Sequence, residues 1–254
     1  MFPYRDENDT VRTPVITFAL IAANVLAWLL VQGAGSALPL LASVCNLGFI
    51  PGEFTLTATP GTGMQLAEGV ACLVDPGRAP EHLFTSMFLH GSWMHLLGNM
   101  WFLWLFGNNV EDSMGRTRFA IFYLLGGIGA AVAQVASDPT SVVPMVGASG
   151  AISAVMGGYV VLYPRVRVYT MVPLGFFLTS VALPAWVMLG YWMLLQVFGG
   201  LGGAESGVAF WAHIGGFVAG VALIKLFARP DYIAEHQAHH WQPRHVGMRR
   251  QNWR

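Results

Sequence analysis

The chain has 254 residues, of which 55% are hydrophobic, 13% aromatic and only 10% charged, with a formal net charge of zero and a mean hydropathy of +0.54. A soluble domain carries roughly 25% charged residues, so the composition excludes an ordinary soluble domain and points to a polytopic membrane protein. Basic residues are dispersed rather than gathered on one face, which excludes nucleic-acid binding.

A polar tail, residues 1–13, holds Arg5, Asp6, Glu7, Asp9 and Arg12 ahead of the first apolar run. It is too acidic for an organellar transit peptide, and no convincing small-residue cleavage site follows. The run behind it is therefore expected to be a retained helix rather than a signal peptide. Runs close to the ~20 residues that cross ~30 Å of hydrocarbon centre on 14–35, 88–107, 117–137, 149–163, 182–199 and 207–228. The expected fold is an all-α bundle of six transmembrane helices over 14–228 with a long first outer loop. A basic, His-rich cytoplasmic tail, 229–254, is expected to be disordered.

With the amino terminus inside, the inner segments hold every Lys and Arg except Arg78, twelve of the thirteen in the chain. This is the positive-inside pattern, and it places both termini in the cytoplasm. The missing transit signal favours a bacterial inner membrane.

The fourth run opens at Ser149 and closes at Tyr163-Pro164-Arg165. About 15 residues at 1.5 Å each reach roughly 22 Å, short of the hydrocarbon thickness. Ser149 should then lie below the outer surface, in a wet pocket entered by the loop 137–144. Runs two, four and six all pass from outside to inside, and His95, Ser149 and His213 each sit near the start of theirs. Polar residues at membrane depth are costly and mark functional sites. Three at one level are what a catalytic constellation requires.

A serine hydroxyl needs an adjacent base, and His213 is the candidate; no Asp or Glu lies in the apolar part of runs four or six, so the pair is a dyad. Without a third member, His213 needs packing or another hydrogen bond to hold its tautomer. His95 and Asn99, four apart, share a helix face and can donate to a developing oxyanion beside the Ser149 N–H. Gly147, Gly150, Gly157 and Gly158 on run four, and Gly215, Gly216, Ala219 and Gly220 on run six, form small faces that let the two helices meet.

Three stretches together, His90-Gly91-Ser92-Trp93-Met94-His95-Leu96-Leu97-Gly98-Asn99-Met100, Gly147-Ala148-Ser149-Gly150 and Ala212-His213-Ile214-Gly215-Gly216, resemble the rhomboid family of intramembrane serine proteases. The resemblance implies a Ser149–His213 dyad with an oxyanion hole of His95, Asn99 and the Ser149 amide. It also implies cleavage of single-span or polytopic membrane proteins, within the lipid bilayer and without cofactor or metal. The fifth run, with Pro184, Trp186, Tyr191 and Trp192, is similar to the family's proposed lateral gate. Two departures stand out. Glu81-His82 occupies the place where many bacterial relatives carry Trp-Arg. Ser153 occupies the place of a tyrosine that stacks on the catalytic histidine in some relatives, so another side chain must pack on His213.

Each residue also has a plainer reading. Serine in a membrane helix often bonds its own backbone, histidines and asparagines bridge helices, and His90 is expected to support the loop. A non-catalytic protein of the same fold that binds transmembrane helices is the alternative; a transporter would show internal repeats, and none is found. Glu111 and Asp112 are expected to pair with Arg116 and Arg118 at the cytoplasmic edge. Cys45 and Cys72 share the first outer loop, where an oxidising compartment could join them. His236, His239, His240 and His245 suggest a lipid-touching tail more than a metal site; no H-E-x-x-H occurs.

Overall fold

The structure, a computed structural model, describes residues 1–67, 69–175, 177–202 and 207–240. Strand β1 (Phe2–Asp6) leads into α1 (Val15–Leu26), which continues as a π-helical turn, Ala27–Val31. A structured loop follows, with α2 (Ala37–Leu47), α3 (Pro51–Thr55), the hairpin β2 (Gly63–Ala67) and β3 (Val70–Leu73), and α4 (His82–Thr85). Next come α5 (Trp93–Met114), α6 (Arg116–Ser137) and α7 (Ser149–Leu162). A second hairpin, β4 (Arg167–Leu174) and β5 (Phe177–Pro184), precedes α8 (Ala185–Leu201), α9 (Phe210–Phe227) and α10 (Pro230–His240).

The molecule is thus mostly helical. Two helices, α6 and α9, are long and apolar enough to cross a membrane by length and composition; α1 with its extension, α2, α7 and α8 are shorter apolar helices. Helix α5 matches α6 at 22 residues, but Asn99, Asn108, Asn109, Glu111 and Asp112 dilute its apolar character. The core lies where α5, α6 and α7 meet, around Leu103, Phe106, Phe119, Phe122, Tyr123, Ile152 and Tyr159, all buried. Phe106 meets Tyr159 edge-on, with ring centroids 4.9 Å apart, a geometry that aromatic rings favour.

An all-α chain is not what the structure shows. β1, β4 and β5 form an antiparallel sheet, and β2 pairs with β3. The sequence of β4 and β5 explains the difference. Val168, Thr170 and Val172 alternate with other residues in β4, and Thr179 and Val181 do so in β5. β-Branched residues on a period of two suit a strand. Gly175, at φ +61°, turns the chain between them.

The tail is also ordered as far as it is described. Residues 230–240 form α10, and His236 is buried between Asp112 (Nδ1 to Oδ2, 2.9 Å) and Asn8 (Nε2 to Oδ1, 2.8 Å). Residues 230–240 are therefore not disordered; His245 lies outside the described residues. The reason is the end of α5, whose carboxylates need partners once buried. Asp112 accepts from the backbone N–H of Val11 and Arg12 and pairs with the Arg12 guanidinium, which also meets Glu235. Glu111 accepts from Ile16 N, Thr17 N and Thr17 Oγ1 at 2.8–2.9 Å, capping the start of α1. The expected pairing of these acids with Arg116 and Arg118 is therefore replaced by backbone capping, and Arg118 donates to the Phe227 carbonyl instead.

Asp6 closes the same end of the bundle. Its Oδ2 accepts from the Tyr159 hydroxyl at 2.6 Å and from Asn109 Nδ2 at 3.1 Å. Burial raises its pKa to about 6, against the opposing pull of the Tyr159 hydrogen bond. A folded pKa above the unfolded value means that the native state holds more protons between about pH 4 and 6, so this contribution to stability falls as pH rises through that window. Asp6→Asn is expected to gain about 1–2 kcal/mol of stability relative to wild type as pH rises from 4 to 7, read from unfolding in detergent. A difference that does not change with pH contradicts it.

Candidate active site

Helix α5 starts where Ser92, in extended backbone, accepts a hydrogen bond from His95 N at 3.1 Å. This N-cap places His95 in the first turn and Asn99 one turn deeper on the same face. The segment before it is clamped by Gln32, which donates to the His90 carbonyl and accepts from the His90 N–H, both at 2.8 Å. His90 is fully buried and its ring meets that of His95 edge-on at 5.0 Å, a supporting position.

Helix α7 starts at Ser149. The loop in front of it is fastened to the first loop: Phe49 and Met145 exchange backbone hydrogen bonds, Gly52 N donates to the Ser141 carbonyl, and Gly147 N donates to the Ser86 carbonyl. Cys45 and Cys72, joined in a disulfide with Cα atoms 5.0 Å apart, tie α2 to β3 within that first loop. Gly147 has φ +130°, and a Cβ there would sit 2.8 Å from His95 Nε2 and 3.4 Å from Ser149 Oγ. Only glycine leaves the space between those two side chains open.

His213 reaches Ser149 from α9. Its Nε2 lies 2.8 Å from Ser149 Oγ. The approach depends on backbone contact between α7 and α9: a Cβ on Gly216 would collide with the Gly150 carbonyl oxygen, in keeping with the small faces expected on both helices. Ser149 and His213 are both half-buried, and Asn99 is buried. The other ring nitrogen, His213 Nδ1, lies 2.8 Å from Gln196 Oε1 on α8. Trp192, one turn earlier on α8, lays its ring 5.9 Å from the His213 ring and fills the place left by Ser153, whose hydroxyl donates to the Ser149 carbonyl at 2.6 Å.

Three of the residues expected from sequence therefore meet, Ser149 and His213 in direct contact and His95 beside them across Gly147, with Asn99 one turn further along the same face of α5. His95 Nδ1 accepts from Gly91 N at 3.3 Å, which leaves Nε2 as the protonated nitrogen, facing the serine. Asn99 Nδ2 is buried without a hydrogen-bond partner. Gln196 escaped the sequence reading. Its signal was a lone amide in an apolar helix, which must find a partner when buried. A cavity of about 510 Å³ lies at the opposite end of α5, lined by Arg12, Glu111, Arg116 and Tyr232 among others, away from Ser149.

The site is thus a serine at a helix start bonded to a histidine on a neighbouring apolar helix, in a mostly helical protein. The chain belongs to the rhomboid family: the Rhomboid domain profile matches residues 78–230, a stretch that includes all four residues, and the family is membrane-embedded. It is 31% identical to Rhomboid-like protease 5 of Toxoplasma gondii over 54% of this chain and 15% of that protein. It is 29% identical to the chloroplastic Rhomboid-like protein 11 of Arabidopsis thaliana, over 57% of this chain and 51% of that one. It is 32% identical to the mitochondrial Presenilin-associated rhomboid-like protein A of Danio rerio, over 54% of this chain and 34% of that one. The chain thus spans about half the length of these relatives or less.

The contact between α7 and α9 can be tested by volume. Gly216→Val is expected to cost about 1–3 kcal/mol through overpacking and to open the Ser149–His213 contact. Thermal unfolding in detergent should show a lower midpoint, and an unchanged midpoint contradicts the packing described.

Proposed function

We propose that the chain is an intramembrane serine endopeptidase that cuts transmembrane segments of other membrane proteins. The observation that carries this reading is the 2.8 Å contact of Ser149 Oγ with His213 Nε2, between two apolar helices that each begin near it. On this reading α1, α5, α6, α7, α8 and α9 are six membrane spans, with both termini on the side rich in basic residues. At 14 residues, α7 is about 21 Å long. It is short for a span, which keeps Ser149 below the outer surface and open to water from that side. The relatives whose names carry a location are chloroplastic or mitochondrial, so they lend no support to a bacterial inner membrane.

In the reaction, the Ser149 hydroxyl gives its proton to His213 Nε2 as Oγ attacks the carbonyl carbon of the scissile bond. The oxyanion that forms is held by the Ser149 N–H, which has no intrahelical acceptor at the first residue of α7, by His95 Nε2–H and by the unpartnered Asn99 Nδ2. His213 then passes the proton to the leaving amine, and a water deprotonated by the same ring hydrolyses the acyl-enzyme. A peptide bond inside a helix is shielded by its own turn, so a substrate must first unwind. Gly or Pro near the cut lowers that cost. Trp186 and Tyr191 on α8 are exposed, on the helix that flanks the dyad and past which a substrate would enter.

The test is cleavage of a single-span reporter, its helix carrying a Gly-Ala-Ser stretch near the outer end, by purified protein in liposomes. Wild type should cut, and Ser149→Ala and His213→Ala should be silent while remaining folded. Asn99→Ala should lose about 10²- to 10³-fold in turnover, as loss of one oxyanion donor does. If wild type binds the reporter without cutting it, the chain is a helix-binding protein of this fold.

A further inference from the structure

A neutral histidine acts as a base toward serine only if the proton sits on the far nitrogen. In His213 that nitrogen is Nδ1, and no carboxylate accepts from it among the described residues. Its partner is the Gln196 side-chain oxygen, 2.8 Å away. The amide has a second tie: Gln196 Nε2 donates to the Trp192 carbonyl at 3.3 Å, one turn back on α8. That bond fixes which end of the amide is which, because only the NH2 group can donate to a carbonyl. The oxygen is thereby turned to His213, where it can only accept. Nδ1 must carry the proton, and Nε2 presents its lone pair to the Ser149 hydroxyl at 2.8 Å.

From this chain of contacts we infer that Gln196 is a positioning residue, the uncharged third member of the site, which holds His213 in the tautomer and orientation that make it a base for Ser149. The inference rests on the protease reading above and goes beyond the dyad. Several observations agree with it. Gln196 is nearly buried, at 8% exposed, inside an otherwise apolar helix. An amide there is destabilising unless both of its ends are bonded, and both are. Trp192 and Gln196 are four residues apart and therefore on one face of α8, so a single helix face holds the ring plane and the ring nitrogen of His213 together. An amide does this without placing a charge at membrane depth, where a carboxylate is expensive.

The arrangement also makes the base depend on α8. His213 belongs to α9 and Ser149 to α7, so their contact can persist if α8 shifts, but the tautomer lock cannot. A displacement of α8 that breaks the Gln196 bond would leave Ser149 hydrogen-bonded to a ring free to carry its proton on either nitrogen.

The experiment measures kcat and KM separately for the liposome reporter with wild type, Gln196→Met and Gln196→Glu, keeping Ser149→Ala as the blank. Met preserves length and apolar packing but removes the acceptor, whereas Glu restores an oxygen at the same reach. Gln196→Met is expected to lower kcat by about ten- to a hundredfold, within the range that acid–base assistance contributes, while KM and the thermal midpoint stay near wild type. Gln196→Glu is expected to recover most of that loss. Wild-type turnover in Gln196→Met overturns the inference, as does a Gln196→Met loss that comes with a lowered thermal midpoint or falls on KM rather than kcat, which would assign Gln196 to packing. Wild type no more active than the Ser149→Ala blank would instead overturn the protease reading itself.

Discussion

The contact of backbone with backbone between α7 and α9 is the constraint on which the rest depends. A side chain on Gly216 would strike the Gly150 carbonyl, and one on Gly220 the Ala154 carbonyl. Membrane helices gain little from apolar burial against one another, and they associate through close packing and hydrogen bonds. Here the packing brings the start of α7 beside the start of α9 and delivers Ser149 to His213 within hydrogen-bond distance. The other components then fall around that meeting point: α5 brings His95 and Asn99, and α8 brings Trp192 and Gln196 against the far side of the imidazole. Within that meeting point the reacting groups are tied to one another: Ser149 to His213, His213 to Gln196, and Gln196 to the Trp192 carbonyl. Asn99 Nδ2 has no hydrogen-bond partner and is the group assigned to the oxyanion.

The opposite end of the bundle follows the same rule with different chemistry. Glu111 and Asp112 are buried at the end of α5, and the amino-terminal segment supplies N–H donors to both. His236 of α10 and the Arg12 guanidinium complete the shell of Asp112. Segments that read as polar tails are thereby fastened to α5, and β1 adds its edge to β4 while Asp6 bonds Tyr159 of α7. Both ends of α7 are held, at Ser149 by the first loop and α9, and near Tyr159 by the amino-terminal strand.

The sequence carried the site more fully than the fold. His95, Asn99, Ser149 and His213 were readable because polar residues are rare in apolar runs, and because alternate helices running in one direction put their starts at one level. The glycines pointed to the same pairing of α7 with α9. Gln196 was harder to read: a single amide in a helix of aromatic and aliphatic residues does not reveal its partner, which here is 17 residues on. The β4–β5 hairpin was hidden because its two strands are short and apolar, and a period of two over eight residues competes with the stronger expectation of a loop between helices. Glu111 and Asp112 looked paired to the nearest arginines, since sequence proximity cannot show that the amino terminus returns to cap them. The order of α10 has the same origin, because His236 finds Asp112 124 residues away.

The central claim is that His213 makes Ser149 nucleophilic inside the membrane domain. The most direct measurement is labelling of the protein in liposomes with a fluorophosphonate, the modified residue being located by mass spectrometry in wild type and in His213→Ala. A single adduct on Ser149 in wild type, lost in His213→Ala, is the predicted result. Equal labelling in both, or an adduct on another serine, would contradict it.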